Sequence, residues 1–198
     1  MALTLIKEDG TGKVDANSYA DIADGDAYFD GHLYATAWTG ATADKKAAAL
    51  VMATRLIDSQ FQFNGGQTSA SQALQWPRTE CPDPDKGLMT LSVLLPILTN
   101  FVEYNVVPRA VVQATCEMAR ELLIADRTAA PPGEGVESVQ TVHATHAATG
   151  TGSSSDTLAT KYSKADTRPI ISRVAQAMLS KFGALVTGGS GSVRLVRA

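Results

Sequence analysis

The chain has little of what most chemistry needs. It holds 2 cysteines and 3 histidines in 198 residues. Two cysteines, Cys81 and Cys116, cannot form a disulfide framework. Cys116 falls in a helical apolar pattern and reads as a buried thiol. His143 and His146 lack companions at metal-ligand spacing, so no metal site or other cofactor is expected. Asp21, Asp24, Asp26 and Asp30 spread over more than one helical face, without the spacing of a calcium loop. The glycines of Asp9-Gly10-Thr11-Gly12-Lys13 lack the phosphate-loop spacing and read as a turn. Ser153-Ser154-Ser155 has no nucleophile-elbow context. No catalytic constellation is present, and an enzyme is not expected. Aromatics make up only 6% of the chain. No uninterrupted membrane-length apolar run occurs either. Pro96, Asn100, Glu103 and Asn105 break the stretch from Leu88 to Val107, which reads as a buried or interface segment. Lys7, Glu8 and Asp9 interrupt any early leader-like run, so synthesis in a cytoplasm is expected.

A basic balance is also missing. The net charge is -3, which speaks against a general nucleic-acid binder. The charge is uneven, however. Glu8, Asp9, Asp15, Asp21, Asp24, Asp26 and Asp30 crowd the start. Lys161, Lys164, Arg168, Arg173, Lys181, Arg194 and Arg197 crowd the end. Such polarity suits head-to-tail subunit contacts.

What is present is helical patterning. The hydrophobic share is 44%. Ser18, with Asp21 three positions on, predicts a capped helix through Tyr19, Ile22, Phe29 and Leu33. Thr42 or Asp44 opens a second helix, striped by Ala47, Leu50, Val51, Thr54, Ile57 and Phe61. Pro108 sits in the first turn of a third, striped by Val111, Thr115, Met118, Ala119 and Leu122. A fourth is expected over 168–182, lined by Ile171, Val174, Met178 and Phe182, with Gly183 as its cap. Leu3 to Ile6 reads as a short strand. The alternation from Val136 to His143, with a return over Thr157 to Tyr162, predicts a β-hairpin with a Gly/Ser/Thr tip. The expected architecture is mainly α: a small bundle of about four helices, a protruding hairpin and an extended C-terminal tail. The domains are a helical core over 1–128, an arm over 129–165, a packing helix over 166–185 and a tail over 186–198.

Tyr19, Phe29, Trp38, Ile57, Phe61, Trp76, Pro77 and Arg78 are the expected structural anchors. The aromatics among them could alternatively stack single-stranded bases, and Arg78 could meet a phosphate or a carboxylate of the first helix. Val139, Val142, Leu158 and Tyr162 belong to the arm. Val193, Arg194, Leu195, Val196 and Arg197 follow a glycine spacer and suit strand addition to a partner.

The ordered set Ala27-Tyr28-Phe29, Trp38, Lys46 to Leu50, Ile57-Asp58, Gln72 to Arg78 and Pro108 to Val112 resembles the head-to-tail adaptors of tailed bacteriophages. Some members of that family carry the label of a DnaT-like single-stranded-DNA-binding protein. The resemblance implies a structural virion protein of the neck, made in the host cytoplasm. It would form a ring, a dodecamer, under the portal protein and extend the DNA channel. Its partners would be the portal, its own copies, a downstream neck or tail protein and the double-stranded DNA passing through, with no membrane. The alternative is a single-stranded-DNA-binding replication accessory.

Overall fold

The structure is a computed structural model. It describes residues 3–86, 101–129, 136–146, 153–162 and 169–186. In the two hairpin strands the backbone is described, and the side chain only at Lys161. The chain divides into two compact units, Met1–Asp126 with Ile171–Ala198, and Arg127–Ile170.

In the first unit, Asp21 caps α1 (Ile22–Phe29), and Asp24 returns the bond to Asp21 N–H, a reciprocal capping box. The box stands three residues later than a Ser18 cap would put it. Ser18 is instead buried and folds its hydroxyl onto Ala20 O. A second helix that the pattern does not announce, α2 (Thr36–Thr39), carries Trp38. Gly25 makes that placement possible: a Cβ there would lie 2.2 Å from the Trp38 ring. What reads in sequence as a weak helix position is the seat of an indole.

Thr42 caps α3 (Ala43–Gln60) through Lys45 N. Its buried face runs Ala47, Leu50, Val51, Thr54 and Ile57, as the stripe requires. Pro108 precedes α4 (Arg109–Ile124), whose buried positions include Val111, Ala114, Thr115, Met118 and Ala119. α3 packs along α4, and α4 packs against α5 (Arg173–Leu179). Alanines at both contacts let the helix axes approach closely.

The last helix is shorter than the 168–182 span expected. Pro169 to Ser172 stay outside it, and the Ser172 hydroxyl caps it through Ala175 N. Its buried face is Ile171, Ala175, Leu179 and Phe182, whereas Val174 points to solvent. Gly183 does not cap a helix. It opens β6 (Gly183–Leu185), which pairs antiparallel with β1 (Phe61–Phe63). A Cβ at Gly183 would meet Gln62 O at 2.2 Å, so glycine is what lets the strands close. Between them in sequence, β2 (Gly66–Gln67) pairs with β3 (Arg78–Thr79). The fold is therefore mixed and mainly helical, with five helices among the described residues.

Leu3 to Ile6 is not a strand. The Asn17 side chain takes Ile6 N–H and donates to Thr4 O, leaving one isolated bridge at Lys7 and Ser18. Glu8 is buried in the turn that follows. Its carboxylate accepts from the backbone N–H groups of Gly10, Gly12 and Lys13.

The second unit holds β4 (Val136–His146) and β5 (Ser153–Tyr162), an antiparallel pair with an irregularity between Val136 and Ser138. Ser153 to Ser155 belong to β5 rather than to the tip. At the unit's ends, the Arg127 guanidinium donates to Ile170 O at 2.9 Å and Pro169 O at 2.8 Å. Residues 87–100 and 187–198 lie outside the described residues. With them lie most of the 88–107 segment and the strand-addition candidates Val193, Arg194, Leu195, Val196 and Arg197. No helix among the described residues is long and apolar enough to cross a membrane.

Candidate functional site

Three clusters hold the chemically distinctive side chains, all in the first unit.

The first is built on the Trp76-Pro77-Arg78 turn, where the Trp76-Pro77 peptide is cis. Trp76 has no exposed surface and packs edge-on against Phe63 and Phe182, with ring centroids 5.6 and 5.9 Å away. Its Nε1 meets no acceptor among the described residues. The backbone N–H of Trp76 donates to the Tyr19 hydroxyl at 3.3 Å. Tyr19, equally buried, donates in turn to Asp58 Oδ1. Gln75 closes the network: its N–H donates to Asp58 Oδ2 and its side chain to Asp58 O. Burial pushes the Asp58 carboxyl up to about 6, against the pull of the Tyr19 and Gln75 donors. Burial also raises the Tyr19 phenol well above its ordinary value, with the Asp58 charge adding to it.

Arg78 forms no ion pair with a carboxylate among the described residues. Its guanidinium donates to four carbonyls, those of Asn64, Gln75, Phe63 and Gly65, at 2.8, 3.0, 3.2 and 2.6 Å. Three of these carbonyls belong to the 63–66 turn and the fourth to Gln75, and a fork of five donors matches them. The Trp-Pro-Arg block is thus a clasp, spent on its own backbone.

The second cluster surrounds Trp38. Its Nε1 donates to Asp26 Oδ1 at 2.8 Å, and Lys46 Nζ reaches the same oxygen at 2.7 Å. The ammonium also lies 5.1 Å from the ring centre. The Lys46 and Trp38 donors hold the Asp26 carboxyl below its ordinary value. Phe29 packs against Trp38 at 5.4 Å.

The third is a buried acid on α4. Glu117 accepts from the Tyr28 hydroxyl at 3.0 Å and from Arg120 Nε at 3.2 Å, and His32 Nε2 stands 3.6 Å away. Burial, then the Glu117 charge, raises the Tyr28 phenol to about 12. The sequence pattern did not mark this group of four, because Glu117 lies between the stripe positions Thr115 and Met118. Cys116 beside it is buried, and its thiol is pushed up to about 12, first by burial. Both cysteines are free and buried, with no thiolate to offer.

The nominated anchors lie where a core lies. Tyr19, Phe29, Trp38, Ile57, Phe61 and Trp76 are buried, as are Pro77 and Arg78. None presents a face on which a base could stack. Val139, Val142, Leu158 and Tyr162 fall in β4 and β5, in register with Thr160, Thr157, Thr141 and Val136, and their side chains lie outside what is described. No group of three or more metal-ligating side chains occurs among the described residues.

Aromatic surface is left at Tyr34 and Tyr104. Tyr104 lines an open hollow of about 520 Å³ with Phe101 and Lys86, beside Glu80 and Glu103. There one cation and two aromatic rings meet solvent together.

Comparison with known proteins adds one finding. No curated protein and no solved structure matches the chain. A family profile does, over residues 3–198, and it carries the provisional description DnaT-like ssDNA binding protein. The match spans the clasp, both helical contacts and the hairpin, and it says nothing of portals, rings or neck proteins. The chain belongs to the DnaT-like ssDNA-binding protein family.

Proposed function

We propose that the protein works by binding, without turnover, and that its ligand is single-stranded DNA. Family membership over residues 3–198 is the observation that supports this. The aromatic anchors are poor candidates for such a site. The core aromatics are enclosed, and Arg78 is committed to carbonyls. The Tyr104 hollow offers a ring for a base, and Lys86, half-exposed and held by Phe101 O and Asp83, as the cation beside it. The neighbouring glutamates and the net charge of -3 make a weak, salt-sensitive contact the expectation. Fluorescence anisotropy with a labelled oligothymidine tests it. Binding should weaken steadily with salt, and Tyr104→Ala should reduce affinity about fivefold or more if a base stacks there. No binding at low salt would refute the reading.

A second reading is a head-to-tail adaptor of a tailed bacteriophage, held in the virion neck and made in the host cytoplasm. The observation that favours it is the hairpin, which forms a compact unit of its own over Arg127–Ile170. A two-stranded hairpin has exposed strand edges that suit subunit or partner contacts. In this reading the partners are the portal, other copies in a ring, a following neck or tail protein and the DNA in the channel. Labelling of the protein in purified virions decides it. Label at the neck supports the adaptor; absence from virions removes it.

A further inference from the structure

The loop between α1 and α2 carries two large side chains that no described residue covers. Leu33 is 90% exposed and Tyr34 76% exposed. The loop that presents them is nevertheless well held. His32 N donates to Phe29 O, and the His32 ring packs edge-on against Phe29 at 5.6 Å. Tyr34 N donates to His32 Nδ1 at 3.1 Å. The other ring nitrogen, Nε2, stands 3.6 Å from Glu117 Oε1. A preorganised apolar projection loses little freedom on binding. Asp30 lies exposed at its base and makes no ion pair among the described residues.

The complementary shape occurs elsewhere on the same unit. α4 and α5 leave an open groove of about 620 Å³ between them. Ala110 and Ala177 give it room, and Val174 and Met178 give it apolar walls. Val174, 49% exposed, presents its side chain to solvent at this groove. Arg173 and Lys181 line the same groove. Lys181 has only a long contact to Asp85, at 4.0 Å, and Arg173 has no ion pair among the described residues. The high exposure of Leu33 and Tyr34 means that the chain's own projection does not fill this groove.

We propose that the Leu33-Tyr34 projection of one copy docks in the α4–α5 groove of a second copy, with Asp30 facing Arg173. The match is double, apolar knob to apolar groove and acidic base to basic rim. Because knob and groove are different patches, the contact is heterologous: each copy keeps a free knob or a free groove for the next. This goes beyond the DNA reading and does not depend on it.

Sedimentation velocity on the full chain tests it over a concentration series. The wild type should grow in mass with concentration. Leu33→Ser with Tyr34→Ser should stay monomeric, as should Val174→Glu; all three positions are solvent-facing, and circular dichroism checks that the variants fold. An equal mixture of the two variants should give a 1:1 pair that grows no further, since one intact knob and one intact groove remain. Asp30→Arg should weaken association tenfold or more, and pairing it with Arg173→Asp should restore it. A monomeric wild type, variants that associate normally, or a mixture that stays monomeric would each overturn the proposal.

Discussion

The two tryptophans are equally buried and are held in opposite ways. Trp38 is fixed by polar chemistry near the surface, between the Asp26 carboxylate and the Lys46 ammonium. Trp76 is fixed by shape: aromatic edges surround it, and its indole N–H meets no acceptor among the described residues. The polar demand at the Trp76 corner is met by backbone and by the Tyr19–Asp58 pair instead. Equal burial therefore hides unequal dependence on charge, and solvent conditions should tell the corners apart.

The largest break is Trp76→Ala. Removing a fully enclosed indole between Phe63 and Phe182 should cost about 3–5 kcal/mol, read by chemical denaturation. Lost DNA binding with unchanged stability would instead make the indole a binding group.

Acid should separate the corners by sign. Asp58 is raised to about 6, so the folded state holds its proton more tightly than the unfolded chain. Its contribution to stability therefore grows as pH falls from about 6 to about 4, by up to about 3 kcal/mol. Asp26 is depressed, so its contribution is present above the ordinary carboxylate range and is lost as pH falls below it. Denaturation from pH 7 to pH 3 should show a maximum between these windows. Asp58→Asn should remove the rise on the alkaline side and leave the acid-side fall.

A conservative pair sharpens the contrast. Trp38→Phe deletes a made hydrogen bond, whereas Trp76→Phe deletes a donor that has no partner among the described residues. Trp38→Phe should be the more costly by about 1 kcal/mol, although the lost ring area is the same. Smallest of all is Lys46→Ala. Its exposed bridge and its place over the Trp38 ring should contribute about 0.5–1 kcal/mol, falling with added salt. An equal loss at high and low salt would mean that the Lys46 stem, not its charge, supports Trp38.

The same division explains what the sequence showed. Elements carried by their own periodicity were legible: the α3 stripe from Ala47 to Ile57, the start of α4 after Pro108 and the two hairpin strands. Elements that exist because of distant partners were not. α2 is one turn long and has no pattern of its own. β1 and β6 are three residues each, and their pairing joins positions 61–63 to 183–185. Gly25 and Gly183 looked like weak or terminal helix residues because the atoms that exclude a side chain there come from elsewhere in the chain. Asp21 rather than Ser18 caps α1, since Ser18 is drawn into the core beside Thr54. At the candidate site, burial of the aromatics could be expected from their stripe positions. The Glu117 group and the Leu33-Tyr34 projection could not, because both depend on how α1, α2 and α4 meet.

The β1–β6 pairing also sets an order of events. On the ribosome, residues through 126 emerge long before their closing strand. Until Phe182 and Gly183–Leu185 arrive, the edge of β1 is open and one wall of the Trp76 chamber is missing. The nascent chain must wait with that edge unpaired while the whole hairpin unit is translated. Contacts of such long sequence separation slow folding and lengthen exposure to aggregation. Growing chains are thus most vulnerable just before the last helix appears, when chaperones and neighbouring nascent chains compete for the same open strand.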